Sequence, residues 1–185
     1  MSTSPAIAQN ISRAGLLRLI ASDVRAKAEW VYGSTSSRTL VKALVTDGTL
    51  AMILYRLMQA SDRHGLTPLS MIFNKLNGFF GGCIIGRGAD FGEAFVLVHS
   101  NGVVINGAVR GGRNVKLEHQ VTIGAERYQS PVLGDDIFVG AGAKIIGPVS
   151  IGSGAKIGAN AVVTANVPAG STAVGVPARN IRKDE

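Results

Sequence analysis

Three histidines and one cysteine are the side chains here best suited to proton transfer or nucleophilic attack near neutral pH. His99 lies in Val98-His99-Ser100-Asn101-Gly102-Val103-Val104. An unperturbed imidazole titrates at about 6.5. It can therefore take a proton from a hydroxyl at neutral pH and return it to a leaving thiolate. The plainer reading is a histidine on a turn. His119 sits in Glu118-His119-Gln120-Val121-Thr122, where Glu118 is either an orienting carboxylate or a solvated turn charge. His64, in the polar linker Ser61-Asp62-Arg63-His64-Gly65, reads as a surface or helix-end residue. Cys83, in Gly81-Gly82-Cys83-Ile84-Ile85, has no base beside it and reads as a packed thiol.

The elements that must position these residues follow from a six-residue period. From Ile85 one phase holds Phe91, Leu97, Val103, Val109, Val115 and Val121; after one interruption it resumes with Leu133, Val139, Ile145, Ile151, Ile157 and Val163. In a chain that is 46% hydrophobic, chance would give this on the order of one time in several thousand. The next position is often glycine (Gly86, Gly92, Gly134, Gly140, Gly152, Gly158), and small or apolar residues follow four later at Ala143, Val149, Ala155, Ala161 and Val167. Each unit reads as a short strand and a turn, with the large aliphatic side chain inward and the small one at a crowded corner. Three units make a coil of eighteen residues, and coils stack at the strand spacing of ~4.8 Å. A uniform eighteen-residue coil puts His119 about 8 Å from His99.

The residues before this region carry helical spacing instead. Leu16, Leu17, Ile20, Val24 and Ala28 mark one helix, and a second runs from about Ser37 to Ala60 with Ser36 or Ser37 as its N-cap. Asp47-Gly48 is a weak point that can split it. A third starts near Pro68 and ends near Leu76. The expected organisation is a helical region at 1–80, a β-helix domain at 81–168 and a tail at 169–185. The fold class is mainly β, a parallel β-helix with a small N-terminal α-helical region.

The net charge of +7 comes without a basic cluster interleaved with aromatics, so no nucleic-acid partner is expected. One cysteine permits no internal disulfide. No apolar run is long enough to span a bilayer. The opening MSTSPAIAQN lacks the pattern of a secretory signal, so the expected location is the cytoplasm. Only His99 and His119 lie in the repeats, so no three-histidine metal site is expected.

The repeat resembles that of the hexapeptide-repeat acyltransferases, and the resemblance implies a left-handed β-helix. The runs Leu97 to Val104, Gly111 to Gly124, Val139 to Gly147 and Gly152 to Val163, with the ending Gly175-Val176-Pro177-Ala178-Arg179, are similar to serine acetyltransferases. The likeness covers about Gly82 to Arg182, and more weakly Leu54-Tyr55-Arg56. It implies that His99 is the catalytic base, that acetyl-CoA is the acyl donor, and that the protein is a homotrimer with its site between adjacent β-helices. Gly124, Ala141, Gly142 and Ala159 would line the groove for the pantetheine arm. Lys144, Arg179, Arg182 and Lys183 would meet the phosphates. Asn101, His119 and Arg127 would face the acceptor, and backbone amides near Gly124 would stabilise the oxyanion.

Two departures bear on that acceptor. Where the family has an aspartate that orients the base, and a histidine two residues later, this chain has Ile84 and Gly86. The family's substrate-holding Arg-His pair falls on Gln129 and Ser130, in the short loop Ala125 to Pro131. The pattern more nearly resembles relatives that acetylate sugars in exopolysaccharide assembly, so the leading expectation is an O-acetyltransferase with a sugar or polysaccharide acceptor. Serine O-acetyltransferase of cysteine biosynthesis is the first alternative, and a non-catalytic β-helix scaffold is the second.

Overall fold

Helix starts and stops follow the local chemistry. A computed structural model of the protein describes residues 15–181. Helix α1 (Leu16–Tyr32) stops at Gly33, whose left-handed φ of 64° lets its N–H bond back to the Glu29 carbonyl. Its buried face, Leu19, Asp23, Val24, Lys27 and Ala28, carries two charged residues four apart. Helix α2 (Ser37–Val45) is capped by the Ser36 hydroxyl, which accepts from Thr39 N–H. The Asp47-Gly48 pair does split the second segment, because Gly48 takes φ 82° just before α3 (Thr49–Arg63). Pro68 sits in the first turn of α4 (Thr67–Phe80), which runs past Leu76 to Phe80. No helix among the described residues is long and apolar enough to cross a membrane.

The repeats then wind into coils of three short strands. The first coil holds β1 (Ile84–Ile85), β2 (Asp90–Phe91) and β3 (Val96–Leu97); the second holds β4 (Val104–Ile105), β5 (Arg110–Gly111) and β6 (Lys116–Leu117). The third holds β7 (Thr122–Gly124), β8 (Val132–Leu133) and β9 (Phe138–Val139); the fourth holds β10 (Lys144–Ile146), β11 (Ser150–Ile151) and β12 (Lys156–Ile157). Strands β13 (Val162–Val163) and β14 (Thr172–Val174) continue the stack, and β15 (Arg179–Ile181) folds back antiparallel on β14. The result is three parallel sheets of five, four and six strands, apart from that last antiparallel pair. A column of aliphatic side chains fills the interior.

The period is real but not uniform, which corrects the expected inward series. Leu97 pairs with Leu117, not with Val115, because the first turn after β3 carries two extra residues. Ile105, Gly111, Leu117 and Ile123 therefore hold the strand positions. Val103, Val109, Val115 and Val121 are buried two residues earlier, at the corners. Gly111 stands at an inward position because the Phe91 ring of the coil below already fills the space a Cβ would need. The loop 125–131 then inserts four residues, so Gly111 pairs with Leu133 twenty-two residues on. Coils of eighteen appear only after Leu133, where Leu133 pairs with Ile151 and Val139 with Ile157.

The first coil lies at the edge of all three sheets, and the helices cap that edge with polar side chains. Asn74 donates to the Ile85 carbonyl at 2.7 Å. The Tyr55 hydroxyl donates to Ala89 O and accepts from Phe91 N–H. Arg56 donates to Phe91 O and Gly92 O, and its guanidinium also pairs with Asp23 at 2.7 and 3.0 Å. Asp23 in turn accepts from Phe95 N–H. Lys27 donates to Leu97 O, Val98 O and Asp47 O.

The Asp23–Arg56 pair is wholly buried. Burial pushes the Asp23 carboxyl up, against the Arg56 and Phe95 bonds that favour its ionised form. Burial also disfavours the Arg56 charge, but Asp23 outweighs that and keeps the guanidinium protonated. Removing one partner strands the other. Arg56→Met should therefore destabilise the protein by about 3–5 kcal/mol, read as a lower urea midpoint in far-UV circular dichroism.

Candidate active site

His99 follows β3 on the corner between the six-stranded and five-stranded sheets. The register Leu97–Leu117–Val139–Ile157–Ala173 runs up the adjoining sheet. Two residues further along each strand come His99, His119, Ala141, Ala159 and Gly175, which form one column. Backbone bonds tie the corner together: Gln120 N–H donates to Asn101 O, Gly142 N–H to His119 O, and Asn160 N–H to Ala141 O. His119 stacks directly over His99 with ring centroids 6.0 Å apart and planes at 75°. The expected 8 Å is corrected by the twenty-residue coil.

His99 Nδ1 lies 2.9 Å from Asp47 Oδ2. A carboxylate oxygen accepts, so Nδ1 carries the proton and Nε2 is left with its lone pair free. This is the arrangement a general base needs. The side chains are 53% and 59% exposed, so the pair opens to solvent. Asp47 arrives from the turn between α2 and α3. Gly48 makes its approach possible, because a Cβ there would fall 2.5 Å from Leu97 O. Glu118 takes the other position: it lies beside His119 at 3.8 Å, beyond hydrogen-bond length. Ile84, at the position of the family's aspartate, is exposed on the outer face of β1.

The remaining candidates divide between two corners. Asn101, Ala141, Gly142 and Ala159 belong with His99 and His119, and the small side chains leave the column open. Gly142 takes φ 72° at a point where Asn160 Oδ1 would meet any Cβ. Lys144 borders the same corner, its Nζ donating to Gln120 O at 2.7 Å. Gly124 ends β7 on the far side of the five-stranded sheet, away from His99 within this chain. Arg127 lies beyond it. The loop is a hairpin closed by paired Glu126–Gln129 backbone bonds, with Arg127 (φ 46°) and Tyr128 (φ 69°) at its exposed tip. Gln129 is exposed, and the Ser130 hydroxyl bonds the Asn106 side chain. Arg179 is exposed on β15, beyond the last coil of the column. Arg182 and Lys183, like the first fourteen residues, lie outside the described residues.

Asp47, whose carboxylate meets His99, has one mark in the sequence, the adjacent glycine, and that by itself signals only a helix break. His64 caps the end of α3. Cys83 is buried and bonds Asn77 Oδ1 at 3.3 Å, and burial pushes its thiol up to about 12.

A stack of hexapeptide coils with a carboxylate-bonded histidine on one corner points to a hexapeptide-repeat transferase. Residues 130–165 match the bacterial transferase hexapeptide model of six repeats. A serine acetyltransferase of Helicobacter pylori strain 26695 is 38% identical over 145 residues, covering 76% of this chain and 85% of that protein. Soybean serine acetyltransferase, solved in complex with serine, superposes with a TM-score of 0.80 at 32% identity, over 90% of this chain and 69% of that one. A serine acetyltransferase solved in complex with CoA gives 0.82 at 27% identity, with 90% and 69% covered. The chain belongs to the serine acetyltransferase family and is an acyltransferase.

These relatives correct the expectation of a sugar or polysaccharide acceptor, because they are serine acetyltransferases. The physical reason lies at Asp47. The lack of a carboxylate at Ile84 does not leave the imidazole without one, because a carboxylate reaches His99 from elsewhere in the chain.

Two outcomes follow from this geometry. Asp47→Asn should lower kcat by about 10²–10⁴-fold while leaving the thermal melt within two degrees, since Asp47 is half exposed. Cys83 should resist a disulfide thiol reagent at pH 8 in the folded protein and react at once in 6 M guanidinium.

Proposed function

We propose that this protein transfers the acetyl group of acetyl-CoA to the hydroxyl of serine, with His99 as general base. The observation that carries the reading is the Asp47–His99 pair at the foot of an open, small-residue column. Asp47 fixes the proton on Nδ1, so Nε2 takes the serine hydroxyl proton as the oxygen attacks the thioester carbonyl. The C–S bond then breaks, and His99 returns the proton to the CoA thiolate. No acyl-enzyme forms. His119, Asn101 and the Glu118 carboxylate border the space where the acceptor would sit.

From His99 to Ala159 the column rises by three strand spacings, about 14 Å. That suits the thin pantetheine arm of acetyl-CoA, with Ala141, Gly142 and Ala159 along it. Lys144, Arg179 and Lys183 are the cations assigned to the phosphate-bearing end. Such a reaction, with this donor, goes with a cytoplasmic location.

A homotrimer accompanies this reading. Gly124 and the Arg127 hairpin tip lie on a different corner from His99, so they can join its site only from a second copy. Ile84 and Val104, paired in register, and Phe79 and Phe80 at the end of α4 leave apolar surface exposed that such an interface would cover. Arg127 from the neighbouring copy would then meet the serine carboxylate.

Purified protein given acetyl-CoA and serine should release CoA in a serine-dependent way, read by a thiol reagent. His99→Ala should lower kcat by about 10²–10⁴-fold. Equal release without serine, or wild-type turnover by His99→Ala, would overturn the reading.

A further inference from the structure

The buried face of α1 carries a cation that the proposed reaction does not use. Lys27 is fully buried, and its Nζ donates to three backbone carbonyls: Asp47 O, Leu97 O at 2.8 Å and Val98 O at 3.3 Å. Two of these directly precede His99, and the third belongs to its partner Asp47. An ammonium has three N–H donors and no acceptor, so the match of donors to carbonyls is complete. Beside the Asp47–His99 bond itself, the Asp47-Gly48 turn meets the end of β3 at close range, since a Cβ on Gly48 would fall 2.5 Å from Leu97 O.

We propose that Lys27 is a positioning residue that clamps the Asp47 turn to the His99 strand and so holds the Asp47–His99 pair at bonding distance. The proposal rests on His99 being the base, and it also makes a claim about imidazole geometry that needs no turnover.

The clamp depends on the charge. A neutral amine has two N–H groups and a lone pair, so one of the three carbonyls loses its donor and faces that lone pair. Burial pulls the Lys27 ammonium down to about 8, against the opposing pull of Asp47 from the α2–α3 turn and Glu118 from beside β6. Asp23, one helical turn earlier, is engaged by Arg56, and His99 bonds the Asp47 carboxylate. The clamp is thus intact below about pH 8 and releases above it. Folding runs the other way. The unfolded lysine keeps its proton to about 10.5, so the cost of burying the charge is fully present below pH 8 and is relieved as pH rises from 8 to 10.5. An alkaline loss of activity from this cause therefore comes without unfolding.

Histidine-selective ¹⁵N labelling of the intact protein reads the pair directly. At pH 7 His99 should show a protonated Nδ1 and a bare Nε2, and that signature should average out with a midpoint near pH 8 while circular dichroism stays constant. The kcat for serine acetylation should fall over the same range. Lys27→Arg keeps its charge at all these pH values, so it should move both midpoints up by at least one pH unit. Lys27→Met should abolish the fixed tautomer at pH 7 and cut kcat at least tenfold, with KM for acetyl-CoA within twofold. A folded Lys27→Met with the wild-type ¹⁵N signature, or a Lys27→Arg with an unmoved midpoint, would sink the proposal. If Lys27→Met does not fold, the Lys27→Arg midpoint decides alone. A protein inactive toward serine that still shows the pH 8 transition would defeat the assigned reaction and leave the clamp standing.

Discussion

A strand needs a partner on each edge, and the first coil of this β-helix has none below it. Every later coil is paired with the one before it, so one end of the solenoid presents a complete ring of unpaired backbone groups. Eight such groups, from Ile85 to Val98, instead bond to side chains of α1, α3 and α4. Left unmet in a buried setting, each costs about 1–3 kcal/mol, and together they would rival the whole stability of an ordinary domain, about 5–15 kcal/mol. A helix has no free backbone donors along its flank, so it can cap a sheet edge only through long polar side chains. That is why Arg56, Lys27, Asp23 and Tyr55 lie buried, and Asn74 half-buried, in a region whose pattern otherwise reads as an ordinary amphipathic one. The helical region is the first layer of the β-helix in all but conformation.

The regularity of the repeat concealed how that layer connects to the rest. Two residues are inserted after β3 and four after β7, and together they make one full period. The hydrophobic phase therefore falls back into step at Leu133, and the region between reads as if it had never slipped. Val103, Val109, Val115 and Val121 pass as strand centres because the corner positions are also apolar and buried. Type and period of the elements were thus legible, while register was not. Register depends on where turns widen, and Ser100-Asn101-Gly102 looks like any other turn. The consequence is functional, since the two-residue slip is what brings His119 directly over His99.

The site was legible to the same degree. His99 stands out by its surroundings and by its family pattern, because an imidazole on a repeat corner is a local feature. Asp47 is 52 residues away and Lys27 more than 70, joined to it only by the packing of α1 and the α2–α3 turn against the first coil. By position the family's aspartate falls on Ile84, which points to a changed acceptor. Counting by chemistry finds a carboxylate delivered by another element to the same nitrogen. A hydrogen bond to Nδ1 has no memory of which strand supplies its acceptor, so positional departures at such a residue carry little weight about the acceptor molecule.

The capped edge also decides which end of the molecule can be catalytic. Trp30 of α1 reaches Lys116 and Phe138 of the next two coils by ring contact, but the hydrogen bonds from the helical region fall on the first coil, so it is there that an imidazole of the repeat is met by a carboxylate and a cation from outside it. Further up the column the corners hold Ala141, Ala159 and Gly175, which offer backbone and space but no proton chemistry. A long ligand laid along the column must therefore place its reactive end toward the helices and its distal end toward β15. Adding or removing coils at the far end would alter how much of that ligand is held without disturbing the base. Any change in how α1 or the α2–α3 turn seats on the first coil would alter the base without touching the ligand. Binding and proton transfer are thus separated along one axis, and the separation follows from the fact that a stack of coils has exposed edges only at its ends.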